Sequence, residues 1–196
     1  MTTMSTRLQL MITALSLLTF AATSTFALGS GEKSPEEKAA DDQKKATRLY
    51  NDGVKAMESA RTIGQKGDSI FAYNYRATSD AKARKEFEKA VGKFNQAVEL
   101  NPKLAEAHNN LGYCYRKLGK LDESLKAYEK AIGLKPDFAK AREYRGETYL
   151  AMDQPDKATT ELDFLKQMRS PLADTLAKAI EVYQLEAISA KAHSGK

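Results

Sequence analysis

Compared with itself at an offset of 34, the 196-residue chain falls into register. Phe94, Ala97, Leu100 and Pro102 return as Tyr128, Ala131, Leu134 and Pro136, and Gly112, Tyr115 and Leu118 return as Gly146, Tyr149 and Met152. A fixed period of this length means supersecondary units that cannot bury their apolar faces alone and must stack on neighbours. Each period holds two amphipathic stretches. Leu111, Tyr115 and Leu118 share one helical face, and Leu121, Leu125, Tyr128, Ala131 and Ile132 share the next. Gly119-Lys120 separates them as a turn in which glycine takes a positive φ freely. Asp153, its counterpart, is one of the few other residues that tolerates that conformation. Pro102 and Pro136 each stop a helix. Gly112 and Gly146, with Ala97, Ala131 and Ala158, predict two helices of a unit in close approach. Phe94 and Tyr128 fill the space between units.

The string His108-x-x-Leu111-Gly112-x-x-Tyr115, then Ser124-x-x-x-Tyr128-x-x-Ala131 and Pro136, resembles the tetratricopeptide repeat (TPR). That pattern has Trp where His108 stands and Ala where Ser124 stands. The next unit keeps Gly146, Tyr149, Ala158 and Leu162, has Arg142 and Arg145 in place of Trp and Leu, and closes late at Pro171. The unit before has a full second helix (Ala90, Phe94, Ala97, Pro102) but a degenerate first one around Gly53, displaced by an insertion. The resemblance covers residues 45–168 and implies an all-α, right-handed α-solenoid of about three helix-turn-helix repeats. Ser170-Pro171, followed by Leu172, Leu176, Ala179, Ile180 and Tyr183 at helical spacing, predicts a capping helix within 169–196, with the last residues frayed.

Three further segments are set off by composition. Residues 1–27 carry one charge, Arg7, then the uncharged run LQLMITALSLLTFAA and a small-x-small site at Thr25-Phe26-Ala27. This is the layout of an export signal of bacterial type, which places the mature chain outside the cytoplasm, in a periplasm. Retained instead of cleaved, the run is about long enough to anchor the chain in a membrane. Residues 28–44 read as a flexible linker whose later part is a fraying helix start. Residues 62–79 read as an insertion, with Gly64 and Gly67 arguing for a loop and Phe71, Tyr73, Tyr75 and Arg76 concentrated near its end. Those aromatics either bind a partner or fold back on the solenoid edge.

Little in the chain suits catalysis. With one cysteine and two histidines, a disulfide framework and a four-thiolate metal site are excluded. No zinc-protease, phosphate-loop or nucleophile-elbow motif occurs. We therefore expect a chain that is not an enzyme and has no cofactor or metal. His108 holds a packing position on a helix, and Cys114, between Tyr113 and Tyr115, reads as a buried inert thiol. The net charge is +5, and Lys82, Lys85, Lys89 and Lys93 form a basic stripe. The stripe is interleaved with Glu86 and Glu88, so it reads as a solvated face, and nucleic acid is not an expected partner.

The expected functional surface is the concave groove. On the middle repeat Asn109, Asn110, Tyr113, Arg116 and Lys117 form one contiguous stripe. Its equivalent on the next repeat holds Lys140, Glu143, Tyr144 and Glu147, and stacking sets the two side by side. Some TPR proteins use this surface to clamp carboxylates at chaperone C-termini. Here Asn110 and Lys140 fall on clamp positions, but Tyr144 stands where arginine is expected, and Tyr50 and Val54 where lysine and asparagine are. That argues against the clamp. The mixture of tyrosines, amides and balanced charge instead suits an extended peptide. The expectation is a non-enzymatic scaffold that binds protein or peptide in the cell envelope. The alternative is a membrane-proximal accessory subunit that makes contact through the insertion or the convex face.

Overall fold

The computed structural model describes residues 32–64 and 77–194, with side chains to residue 190. Seven α-helices, and no strand among the described residues, follow one another as α1 (Pro35–Gly64), α2 (Ala81–Leu100), α3 (Ala105–Lys117), α4 (Leu121–Leu134), α5 (Ala139–Ala151), α6 (Pro155–Gln167) and α7 (Leu172–Ser194). The chain divides into two units, one ending at Asp42 and one running from Gln43 to Lys196. The expected export signal, residues 1–27, lies outside the described residues. Among the described residues no helix is long and apolar enough to cross a membrane.

In the first unit the helix start expected in the later part of 28–44 is present and begins at Pro35, two residues inside the stretch read as flexible, where Ser34 and Glu37 make a reciprocal capping box. The Ser34 N–H donates to Glu37 Oε2 at 2.9 Å, and the Glu37 N–H to Ser34 Oγ at 3.2 Å. At the other end of α1, Thr62, Ile63 and Gly64 were assigned to the insertion but form the last helical turn, where the Thr62 hydroxyl donates to the Glu58 carbonyl. Phe71, Tyr73, Tyr75 and Arg76 lie outside the described residues.

In the second unit α1 packs on α2, α3–α4 and α5–α6 pair as helix-turn-helix units in a solenoid, and α7 packs on the last. Large side chains seat on glycines. A methyl group at Gly53 would come within 2.7 Å of the Phe94 ring, one at Gly112 within 2.6 Å of Tyr128, and one at Gly146 within 2.6 Å of Leu176. The first two seat the second helix of a unit on its first. Gly146 departs from this. Its close partner is α7, not the second helix of its own unit, so α7 fills the role that an aromatic fills in the earlier units. Phe94, Tyr128 and Leu176 are all fully buried.

The turns after α3, α5 and α6 are the same device. Gly119, Asp153 and Arg169 take φ of 78°, 59° and 52°. In each, the next residue's N–H reaches back five residues: Lys120 to Tyr115, Gln154 to Tyr149 and Ser170 to Leu165, at 2.9–3.0 Å. Arg169 went unmarked in the sequence because arginine carries no signal for this conformation.

Residues that break the repeat pattern bond across it. His108 Nε2 lies 3.0 Å from the Pro102 carbonyl, and Arg142 Nη2 donates to the Pro136 carbonyl at 3.2 Å. Each polar residue in the place of Trp thus satisfies the carbonyl of the proline that ends the preceding helix. Ser124, in the place of Ala, donates to the Gly112 carbonyl at 2.8 Å and lies 3.2 Å from Thr148 Oγ1. Cys114 is fully buried, and burial pushes its thiol well above the usual range. Of the basic stripe, Lys82, Lys85 and Lys89 are exposed and Lys93 is half-buried.

Asp80 caps α2, its Oδ1 accepting from the Ala83 N–H at 2.8 Å. Asp80→Ala should cost about 1 kcal/mol, read as a fall of about 2–4 °C in the melting temperature. An unchanged melt would show that the cap is not formed in solution.

Candidate functional site

Three helices, α1, α3 and α5, line the face on which the two stripes were expected. The stripes do lie side by side. Tyr113 of α3 and Tyr144 of α5 have ring centroids 5.1 Å apart, tilted by 42°. The Arg116 guanidinium sits over both rings, 5.5 Å from Tyr113 and 5.7 Å from Tyr144. Arg116 Nη2 donates to Glu147 Oε2 at 2.6 Å, joining the middle repeat to the next.

What the sequence did not show is depth. Asn109, Tyr113, Arg116, Lys117, Glu143 and Glu147 are each at most 5% exposed. The expected open stripe is, along most of its length, a closed seam. Tyr113 is a core residue, packed edge-on to Phe87 at 5.9 Å and grouped with Phe94, Leu111 and Cys114. Its ring is therefore required for packing, which corrects the expectation that it was free for a ligand. Periodicity places these residues on one face but says nothing of what covers it. The chain's return at Thr78, buried with its N–H on the Lys117 carbonyl at 3.0 Å, is one contact that no pattern announced.

The seam opens toward the N-terminal ends of α3 and α5. Asn110, Lys140 and Tyr144 are half-buried there, and so are Tyr50 and Val54 of α1. Asn110 Nδ2 donates to Tyr50 Oη at 3.4 Å. Lys140 Nζ pairs with Glu143 Oε2 at 2.8 Å and stands 4.4 Å from the Tyr144 ring centroid. Tyr50, known from the sequence only as a departure from the clamp pattern, is thus the contribution of the first repeat. Its ring is held by Phe94, 5.8 Å away.

Burial sets the electrostatics. It raises the Glu147 carboxyl to about 7 against the pull of Arg116, and neighbouring Glu143 adds to the rise. The Tyr144 phenol is likewise raised by burial, against Lys140. Burial works against the charge on Lys140, but Tyr144 and Glu143 outweigh it and hold the ammonium above its ordinary value. Among the described residues no cluster of three His, Cys, Asp or Glu is placed to hold a metal.

Residues 105–138 match the family described as Tetratricopeptide repeat, and residues 82–119 match TPR repeat. The chain carries tetratricopeptide repeats. It is similar to Hsp70-Hsp90 organizing protein 1 of Glycine max, 37% identical over 75 residues that make up 38% of this chain and 13% of that protein. Hsp70-Hsp90 organizing protein 3 of Arabidopsis thaliana is 39% identical over 72 residues, 37% of this chain and 13% of that protein. The chain therefore spans about 13% of the length of these relatives. Among solved structures, a thermophilic TPR protein of Thermus thermophilus is 24% identical, with a TM-score of 0.48, over 89% of this chain and 96% of that one. The TPR2B domain of yeast Sti1, in a complex named for pHsp70, is 17% identical, with a TM-score of 0.49, over 67% of this chain and 98% of that one.

Proposed function

We propose that this chain is a non-enzymatic scaffold that captures an extended peptide or protein segment on the half-open end of its concave face. We further propose that it works in the cell envelope once residues 1–27 are removed. The observation that carries the binding reading is the strip formed by Tyr50, Asn110, Tyr144 and Lys140, one element from each of three successive repeats. Its amide and hydroxyl groups can bond a peptide backbone, and its rings can cover apolar side chains. The relatives are named for organizing two other proteins, which supports a protein-binding role. The envelope setting rests on Arg7, the apolar run and Thr25-Phe26-Ala27.

The test uses a peptide selected from a random display library against the form beginning at Leu28. Tyr50→Phe with Asn110→Ala removes two hydrogen-bonding groups and keeps the ring that packs on Phe94. The double variant should bind the selected peptide about tenfold more weakly at unchanged helicity, the effect of losing one to two hydrogen bonds. A folded double variant that binds like the wild type would move the site to the 62–79 insertion or the convex face.

A further inference from the structure

The two helices that open the solenoid carry the chain's excess charge. Of its 31 basic and 26 acidic residues, α1 from Gln43 onward and α2 hold ten and five, so the remainder balances at 21 of each. Helix α7, at the other end, carries two lysines against three acids. A terminal face must be polar to stay in water, but nothing requires it to be of one sign. The two helices run antiparallel: Asn101, just past α2, donates to Gln43 Oε1 at 2.9 Å, and Phe94 covers Gly53. The groove between them joins the stripe on α2 to cations on α1, which periodicity along one helix cannot show. Lys44, Arg48 and Lys55 line it from α1, and Lys89 and Lys93 from α2. It also holds two acids, Asp52 and Glu86, both half-buried. Each already has a lysine beside it: Asp52 Oδ1 lies 4.0 Å from Lys55 Nζ, and Glu86 Oε2 3.5 Å from Lys89 Nζ. Lys44, Arg48 and Lys93 have no ion-pair partner among the described residues. Three positive charges are thus left over along about 16 Å, the length of α1 from Lys44 to Lys55.

We propose that the α1–α2 groove is a second docking site, sharing no residue with the strip, that takes an extended acidic segment of a partner protein. The spacing fits such a segment. Lys44 and Arg48, like Lys89 and Lys93, stand about one helical turn apart, roughly 6 Å along the axis. Alternate side chains of an extended chain leave the same face about 6.6 Å apart. An acid at every second position therefore meets one cation per turn. The two existing ion pairs lie at the surface and hold little energy, so Lys55 and Lys89 can turn to a ligand as well. The groove's own acids select a peptide over other polyanions. A phosphate polymer offers acceptors, and Asp52 and Glu86 would face them acid to acid. A peptide backbone brings N–H groups, and hydrogen bonds to a carboxylate are about twice as strong as neutral ones. Thr47, Asn51 and Ser59, on the α1 wall, add side-chain groups that can bond the same backbone. A bilayer presents its headgroups in a plane, whereas Asp52, Glu86 and Lys93 are half-buried between the helices.

The test follows binding of the full chain to a fluorescently labelled octapeptide of alternating Glu and Ser, by anisotropy. Affinity should fall about tenfold between about 50 and 200 mM NaCl, as screening weakens the charge contacts. The triple variant Lys44→Gln, Arg48→Gln, Lys93→Gln should bind about tenfold more weakly at unchanged helicity, since it breaks no ion pair. Lys120→Gln, Lys126→Gln, Lys130→Gln removes the same charge from exposed positions of the middle repeat and should bind like the wild type. Equal losses in the two variants would assign the effect to net charge and overturn the proposal. No binding by the wild type, or equal binding of an octapeptide of alternating Gln and Ser, overturns it too. So does tighter binding of polyphosphate, or of phosphatidylglycerol vesicles, that is lost in the groove variant. Should Lys93→Gln disturb packing, Lys44→Gln with Arg48→Gln, both at exposed positions, is compared with Lys126→Gln plus Lys130→Gln. The selected-peptide experiment reads the strip and this one the groove, so either site can fail without the other.

Discussion

Replacing Arg116 with alanine should destabilise the repeat unit by about 3–5 kcal/mol, the usual penalty for removing one partner of a buried pair. The guanidinium is fully buried and Glu147 is 2% exposed, so water cannot take over the lost contact. Two rings also lose the cation stacked on them. The melting temperature should fall by about 6–20 °C. The penalty should shrink in acid, because a Glu147 without its guanidinium takes up a proton more readily still. Replacing both partners with methionine separates charge from shape. Arg116→Met with Glu147→Met should recover most of the loss, since a buried pair exchanged for apolar residues of similar volume is often neutral or better. A single Arg116→Ala variant that melts with the wild type would mean the pair is solvated.

Gly112→Leu is the second large effect expected. The first carbon added would already sit 2.6–2.8 Å from three atoms of the Tyr128 ring. That ring is fully buried and cannot swing aside. Overpacking of this kind costs about 1–3 kcal/mol. Gly92 is the control: it also lies within a helix, but a methyl group there would meet nothing within 4 Å. Gly92→Ala should leave stability unchanged or raise it by up to about 1 kcal/mol, through helix propensity. Equal melting of the two variants would show that Gly112 is not at a helix contact.

The difference between these two glycines was half legible in the sequence. Gly112 recurs as Gly146 at the repeat offset, and a glycine kept at that interval inside a helix points to close approach. The close approach was legible at both, but not the partner: Tyr128, expected between units, covers Gly112 of its own unit, and Leu176, which covers Gly146, lies outside the period. The turn at Gly119 could be read from residue type, and the one at Arg169 could not. For the candidate site, helical spacing brought Arg116, Tyr113, Tyr144 and Glu147 to one face. Depth depends on what lies over that face, and no periodicity encodes it. The tyrosine taken as a ligand platform was therefore a core residue, and Tyr50, read as a defect in a pattern, proved to be the first repeat's part of the strip.

The span of chain between partners differs sharply along the unit. Tyr128 is 16 residues from the glycine it covers, and Glu147 is 31 from Arg116. Across the insertion, Phe94 is 41 residues from Gly53, and Asn110 is 60 from Tyr50. Closing a longer span costs more chain entropy before any contact repays it. Helices α3 to α7 can assemble by short-range steps, and α1 joins them across a longer span. In a stacked array stabilised by its nearest neighbours, α1 is then expected to be protected less against hydrogen exchange than α3 to α5. The Tyr50 end of the strip is thereby the part of the face whose assembly must close the longest span of chain.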